Sequence, residues 1–249
     1  MVTAHSTCVI IPVYNGERYR AEAIHSALAH TRPPAEVLVV DDGSTDGSVA
    51  IARSFGPAVR VLAQANLGPA AARNMGVTHA SGDLLAFIDA DDLWLPDKLA
   101  RQEQVLWDDP GCEAVLGSAQ NFISPELDAA QRQALARSTG RTGTHLIGAL
   151  LIRQKSFHRI GAFDSRRRHG EFIEWWGRAL RLGLRHTVLP ELVLRRRLHA
   201  DNLMRRDHTG HEEYLSILRE QIAQRRTLAG QRPAQHRTPK PSAEQNPGD

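Results

Sequence analysis

The sequence predicts an α/β protein with a mostly parallel central sheet and helices on both faces. Three observations carry that prediction. Residues Thr7–Val13, 36–40 and 84–88 are short runs that stay apolar along their length instead of alternating, as strands buried on both faces do. Each run is closed by turn-forming or acidic residues, and segments of helical length lie between them. Such alternation packs as a parallel sheet between helical layers, and sheets of this kind bind ligands beyond the carboxyl ends of their strands.

Taken in order, the first run ends in Tyr14-Asn15-Gly16-Glu17, and the helix after it aligns Ala21, Ile24 and Leu28 on one face. The second runs into Asp41-Asp42-Gly43-Ser44-Thr45-Asp46-Gly47-Ser48, where Thr45 or Asp46 can cap a helix over residues 48–55. A Gly68-Pro69 turn opens a helix that carries Arg73 and Asn74. After Ser81-Gly82-Asp83, the third run, Leu84-Leu85-Ala86-Phe87-Ile88, meets Asp89-Ala90-Asp91-Asp92. A buried strand cannot keep carboxylates inside it unless they are paired or bind a metal, so these acids belong at an edge where a cation arrives. Mg²⁺ and Mn²⁺ take oxygen ligands, and Mg²⁺ often uses one or two carboxylates plus substrate phosphates. The alternative is a strand-to-helix turn in which an Asp caps the helix starting near Pro96.

The second half is less regular. Pro96 sits in the first turn of a helix over residues 97–107, residues 112–118 read as a strand, and residues 124–143 as a helix plus loop. A mixed apolar stretch over residues 144–153 leads to Phe157-His158-Arg159-Ile160-Gly161-Ala162-Phe163-Asp164. A helix then begins near residue 170, after Arg166-Arg167-Arg168-His169, and carries Glu171, Phe172, Glu174, Trp175 and Trp176. The two indoles either wall a pocket or belong to the core. Leu192-Val193-Leu194 is a strand leading into the basic Arg195-Arg196-Arg197-Leu198-His199. Residues 208–226 form an amphipathic helix with Tyr214, Ile217, Leu218 and Ile222 on one face, docked on the domain or, as an open alternative, joining a homodimer.

Composition sets limits. A chain of 249 residues can bury one full core, so a single domain over residues 1–230 is the simplest count. The formal charge of +3 is matched by residues 225–249, where Arg225, Arg226, Arg232, Arg237 and Lys240 face Glu244 and Asp249. A nucleic-acid binder carries its surplus on the folded domain, so no nucleic-acid partner is expected. The Pro-rich stretch over residues 231–249 reads as a disordered tail. Cys8 and Cys112 do not form a disulfide framework or metal site. With no transmembrane run and no secretory signal, a cytoplasmic protein is expected, with peripheral membrane association open.

Four segments then carry a resemblance: Val9-Ile10-Ile11-Pro12-Val13-Tyr14-Asn15-Gly16-Glu17, Val39-Val40-Asp41-Asp42-Gly43-Ser44-Thr45-Asp46, Asn66-Leu67-Gly68-Pro69-Ala70-Ala71-Ala72-Arg73-Asn74 and Phe87-Ile88-Asp89-Ala90-Asp91-Asp92. In this order and spacing they resemble the signatures of family 2 glycosyltransferases over about residues 6–205. The resemblance implies a GT-A fold with a Rossmann-like sheet. Residues 6–118 would form the nucleotide-sugar half, 119–205 the acceptor half and 206–230 the C-terminal helix. It implies a nucleotide-diphosphate sugar donor, with UDP the commonest nucleotide, a Mn²⁺ or Mg²⁺ cofactor, and inverting transfer to an acceptor hydroxyl. The acceptor class (glycan, lipid-linked or small molecule) stays open.

The resemblance also implies roles. Asp41 contacts the nucleobase, Pro12, Tyr14 and Glu17 lie on the base and ribose loop, and Arg73 and Asn74 lie beside the nucleotide. Asp89 and Asp91 form the metal-binding pair, Asp91 the direct ligand. Arg197 and His199 hold the family's late Arg-x-His positions near the diphosphate, where His199 binds phosphate or metal. The chain departs from the family where many relatives carry Gly-Glu-Asp with the Asp as general base: here the residues are Gly170-Glu171-Phe172. Glu171 lies one helical step from position 172 and Glu174 two steps, so Glu171 is favoured as base with Glu174 as aid or substitute. Both carboxylates also suit a helix N-terminus on electrostatic grounds alone. Two alternatives accompany the transferase: a sugar-nucleotide-binding protein that has lost catalysis, motivated by Phe172, and a nucleotidyltransferase. The latter calls for a glycine-rich basic loop after the first strand, whereas residues 12–17 hold one glycine and no lysine.

Overall fold

The computed structural model describes residues 6–200 of the chain together with Ser216, Ile217 and Arg219. The first part runs β1 (Thr7–Val13), α1 (Glu17–Leu28), β2 (Glu36–Asp41), α2 (Ser48–Ser54), β3 (Arg60–Ala63), α3 (Pro69–His79) and β4 (Leu84–Phe87). The second runs β5 (Leu93–Trp94), α4 (Lys98–Asp108), β6 (Ala114–Ile123), α5 (Ala129–Leu135), β7 (Gly140–Thr142) and β8 (Leu151–Arg153). It closes with α6 (Gln154–Ile160), α7 (Glu171–Arg181) and β9 (His186–Leu198).

The strands form one sheet in the order β3-β2-β1-β4-β8-β6-β9-β5, with β7 on β6. β3, β2, β1 and β4 are parallel neighbours, so their carboxyl ends share one edge. β8 runs antiparallel to both β4 and β6, and β9 lies parallel to β6. The sheet is therefore mixed, its parallel half joined to the rest through β8.

Side chains alternate across a strand, and both faces are apolar here. β1 sends Cys8 and Ile10 to a core capped by α3, α6 and α7, and Val9, Ile11 and Val13 to one capped by α1, α2 and α4. β2 and β4 divide in the same way, which is why these strands read as unbroken apolar runs. On α3, a Cβ at Gly76 would lie 2.4 Å from Ile10 Cγ2, so glycine sets how closely this helix approaches β1.

Several local expectations change. Pro12 lies within β1, buried and paired with Val40, and not on the loop after it. The buried row of α1 is Tyr19, Arg20, Ala23, Ile24 and Ala27, while Ala21 is exposed. The charge at Arg20 disguises that row, since Arg20, Ile24 and Ala27 have helical spacing. Neither Thr45 nor Asp46 is the N-cap of α2, which is Gly47 without a side-chain cap; Asp46 Oδ1 instead accepts the Ser48 N–H at 3.0 Å. Strands β3, β5, β7 and β8 are short and have no sequence run of their own. Trp175 is fully buried and Trp176 nearly so, which makes both core residues.

Away from this edge, Lys98 is fully buried at the start of α4, its Nζ donating to Gln102 Oε1 at 2.7 Å and lying 4.1 Å from the Trp94 ring centre. Burial drives its pKa well below the usual lysine range. His30 packs edge-on against the same indole, and burial, helped by Lys98, lowers its pKa from 6.5 to about 4. A histidine held neutral in the fold is protonated first in the unfolded chain. Stability should therefore fall by up to about 3 kcal/mol as pH drops from 6.5 towards about 4. His30→Leu should flatten that part of the stability–pH curve in urea titrations, and an unchanged slope would place the proton uptake elsewhere.

Ser216, Ile217 and Arg219 are helical, with Ile217 buried and Arg219 exposed. The remainder of the helix expected over residues 208–226, and the tail over 231–249, lie outside the described residues. Among the described residues no helix is long and apolar enough to cross a membrane.

Candidate active site

Because β2, β1 and β4 are adjacent and parallel, residues 41–46, 14–17 and 89–92 meet at one edge. The first two loops are laced together. Asn15, in the left-handed region at φ 46°, donates its N–H to Ser44 Oγ at 3.0 Å and accepts the Thr45 N–H at 2.8 Å; asparagine is among the residues that tolerate this conformation. Glu17 donates its N–H to Asp46 Oδ2 at 3.0 Å, while its Oε2 accepts the Gly47 N–H at 2.7 Å. The Glu17 carboxylate thus joins the loops, and Tyr14, 52% exposed, is the large side chain presented to solvent.

Asp41 is buried at the end of β2, both carboxylate oxygens 3.3 Å from the Ser44 N–H. Its neighbour Asp42 accepts from Gln64 Nε2, Leu67 N–H and Gly68 N–H at 2.7–2.9 Å. Asp42 thereby fixes the turn that starts α3 and aims Arg73. The sequence reading gave Asp42 no role, although its place directly after the apolar run marked it as an edge residue.

Arg73 is the centre of the site. Its buried guanidinium donates Nη1 to Glu171 Oε1 at 2.5 Å and Nη2 to Asp89 Oδ1 at 2.6 Å. The two carboxylates raise its pKa against the opposing effect of burial. One cation therefore joins the acid at the end of β4 to the acid that opens α7. The adjacent Asn74 turns elsewhere: its amide donates to Phe163 O at 2.9 Å and accepts the Phe163 N–H at 3.0 Å.

On α7, Glu171 and Glu174 separate. Glu171 is 8% exposed and held by Arg73. Arg166 and Arg167 pair with Asp164 at 2.9 and 3.7 Å. Glu174 pairs with Arg178 at 3.4 Å and lines a different, polar cleft with Asp164, Arg166 and Arg167. Phe172 is buried in the aromatic cluster, its ring centre 6.2 Å from Trp175 and 5.9 Å from Trp176.

Asp91 Oδ2 lies 2.9 Å from His199 Nε2. Tyr19 packs against the imidazole with ring centres 4.6 Å apart. Asp92 is buried and accepts the Arg197 N–H at 2.9 Å; burial, with Asp91 and Asp89 nearby, pushes its pKa well above the usual carboxylate range. The Arg197 guanidinium is 2% exposed and donates to Asp91 O, Ser124 Oγ and, at 2.7 Å, Glu22 Oε2. In this structure Arg197 braces β9 against the acid loop and α1.

The donor set offers a divalent cation at most part of a coordination shell. Asp89 and Asp91 have side chains 40% and 30% exposed, and His199 stands beside Asp91. Among the described residues no three His, Cys, Asp or Glu side chains converge into a complete metal site. Ligand oxygens would have to complete the shell, which is the usual habit of Mg²⁺ beside phosphates.

The model of the family described as "Glycosyl transferase family 2" matches residues 8–171. An uncharacterized glycosyltransferase of Rickettsia felis is 28% identical over 218 residues, covering 82% of this chain and 36% of that protein. One of Nostoc sp. is 43% identical over 101 residues, covering 39% of this chain and 31% of that one. The chain thus spans about a third of the length of these curated relatives. Among solved structures, S. aureus TarS 1–349 in complex with UDP-GlcNAc aligns with a TM-score of 0.71 at 19% identity, covering 88% of this chain and 66% of that one. The α/β sheet with its helices matches the GT-A fold of that neighbour, and with the family model spanning most of the described residues, the chain belongs to glycosyl transferase family 2.

Proposed function

We propose that the protein transfers a sugar from a nucleotide-diphosphate donor, with a UDP-sugar favoured, to an acceptor hydroxyl with inversion. The observation that carries this reading is the Glu171–Arg73–Asp89 line, which joins the carboxylate that opens α7 to the acid at the end of β4; the reading takes the first as the acceptor side and the second as the donor side. Binding of UDP-GlcNAc by the TarS neighbour supports the choice of nucleotide. In this reading Asp41 accepts from the nucleobase, Tyr14 covers the base, and Asp91 with His199 and Asp89 would hold Mn²⁺ or Mg²⁺. A bound cation offsets charge that develops on the leaving diphosphate. Glu171 accepts the proton of the acceptor hydroxyl on the side opposite the diphosphate, and Arg73, 2.5 Å away, fixes the direction of that carboxylate. Asp91 is assigned as the direct metal ligand because the Asp89 carboxylate is shared with Arg73.

Asp91→Ala should abolish the Mn²⁺-dependent part of UDP binding in calorimetry while leaving the melting temperature close to that of the parent. Equal affinity in the two proteins would remove the metal assignment. A thermal-shift panel of UDP, GDP, TDP and CDP with Mn²⁺ tests the nucleotide, and a larger shift with any of the others would replace UDP.

One observation favours a second reading. The position that many relatives use for a general base is Phe172, and it is packed into the core. A protein that binds a sugar nucleotide without transferring the sugar would be built this way. Donor turnover measured with and without Mn²⁺ separates the two: bound donor that is neither transferred nor hydrolysed sinks the transferase reading.

A further inference from the structure

Arg20 breaks the rule that its own helix follows. It is fully buried on the row of α1 that otherwise carries Tyr19, Ala23, Ile24 and Ala27. Its Nη2 donates to Ser48 Oγ, which also accepts the Gly16 N–H at 3.2 Å. Nε and Nη1 are buried without a hydrogen-bond partner among the described residues. A Cβ built on Gly16 would stand 3.4 Å from Arg20 Nη2 and 3.9 Å from Ala90 Cβ. The guanidinium therefore lies under the crossing of the β1–α1 loop with the loop that carries Asp89 and Asp91.

As a fold element this is a poor choice. Unpaired buried donors are costly, and an apolar side chain of similar volume usually serves a core at least as well. Burial lowers the Arg20 pKa, and Asp46, Asp41 and Glu17 pull it back up. Those three acids are near enough to act on the guanidinium, yet Arg20 makes no ion pair with them. The other buried cations here are spoken for: Arg73 by Asp89 and Glu171, Arg197 by Glu22. Meanwhile the edge gathers Glu17, Asp41, Asp42, Asp46, Asp89, Asp91 and Asp92, and a diphosphate would bring still more negative charge. In low-dielectric surroundings one unshared positive charge acts over several ångströms.

We propose that Arg20 is a positioning residue of the donor site, a buried counter-cation that offsets Glu17, Asp41 and Asp46 so that this acidic edge can hold a nucleoside diphosphate. It rests on the donor reading given above. Its mark is selectivity for the charged part of the ligand: the nucleoside needs no such offset, whereas the diphosphate does.

The test compares UDP with uridine by calorimetry or ligand-observed NMR, using the full chain with Mn²⁺, in the parent, Arg20→Met and Arg20→Lys. Arg20→Met should fold with a melting temperature at or above that of the parent. Its UDP affinity should fall by at least about tenfold with uridine affinity little changed, and Arg20→Lys should restore most of the UDP affinity. Should Arg20→Met not fold, Arg20→Gln removes the charge while keeping a donor for Ser48, and the same comparison applies. If UDP and uridine weaken together, or neither weakens, Arg20 is a strut between loops and the proposal is overturned. A parent that binds no UDP overturns the donor reading itself, whereas a parent and charge-free variant that bind UDP equally overturn the Arg20 assignment alone.

Discussion

Glu171→Gln is expected to lower sugar transfer by about 10²–10⁴-fold, the usual worth of a general base, while UDP binding stays near the parental value. The expectation rests on position. Glu171 opens α7 and reaches the acid edge through Arg73, at 2.5 Å from its guanidinium. Glu174, one turn on, is tied to Arg178 beside a separate cleft, so Glu174→Gln should cost far less. Gln keeps the shape and can still accept a hydrogen bond from Arg73, which isolates the loss of basicity. Steady-state kinetics with a UDP-sugar and a panel of acceptors decide the matter. A larger effect at Glu174 would show that the wrong carboxylate was chosen, and a parent inactive with every acceptor would favour the binding protein.

Arg73→Met should have the largest effect on stability, about 3–5 kcal/mol. The substitution leaves Glu171, with an 11% exposed side chain, without its cation. Breaking a buried pair on one side costs more than removing both partners, because the remaining charge stays desolvated. At about 2–4 °C per kcal/mol for a domain of this size, the melting temperature should drop by roughly 10 °C. Arg73→Met combined with Glu171→Leu should recover much of the loss, since Asp89 is partly exposed and can be solvated. A double variant as unstable as Arg73→Met alone would mean that packing, and not the ion pair, accounts for the cost.

What was legible in the sequence follows from the physics of each element. β1, β2 and β4 are buried on both faces and so announce themselves as apolar runs, and their polar termini converge because the strands are parallel neighbours. The Asp89–Asp91 cluster was legible for the same reason: an acid directly after a buried strand has to face an edge. Strand β5 was not legible, since two residues paired to β9 leave no periodicity. Side-chain direction was also hidden. Asn74 follows Arg73 in sequence, yet it turns to Phe163 while Arg73 turns to Asp89 and Glu171. The hydrogen-bond partners of Arg197 were hidden too, because they come from α1, from Ser124 after β6 and from the acid loop, which are distant in sequence. Arg20 was passed over because a charge on a helix is ordinarily read as its wet side.

The two neighbouring pins on α3 have an evolutionary consequence. Asn74 clasps the backbone at Phe163, and Arg73 clasps Glu171, so the chain is anchored at both ends of the span over residues 164–170. Between these anchors Arg166 and Arg168 are exposed. A span whose ends are pinned to the scaffold can be lengthened, shortened or exchanged with little disturbance to either anchor, because loop length adds only slowly to the entropy of closure. Sequence can therefore drift at the exposed Arg166 and Arg168 while Arg73 and Asn74 keep their partners.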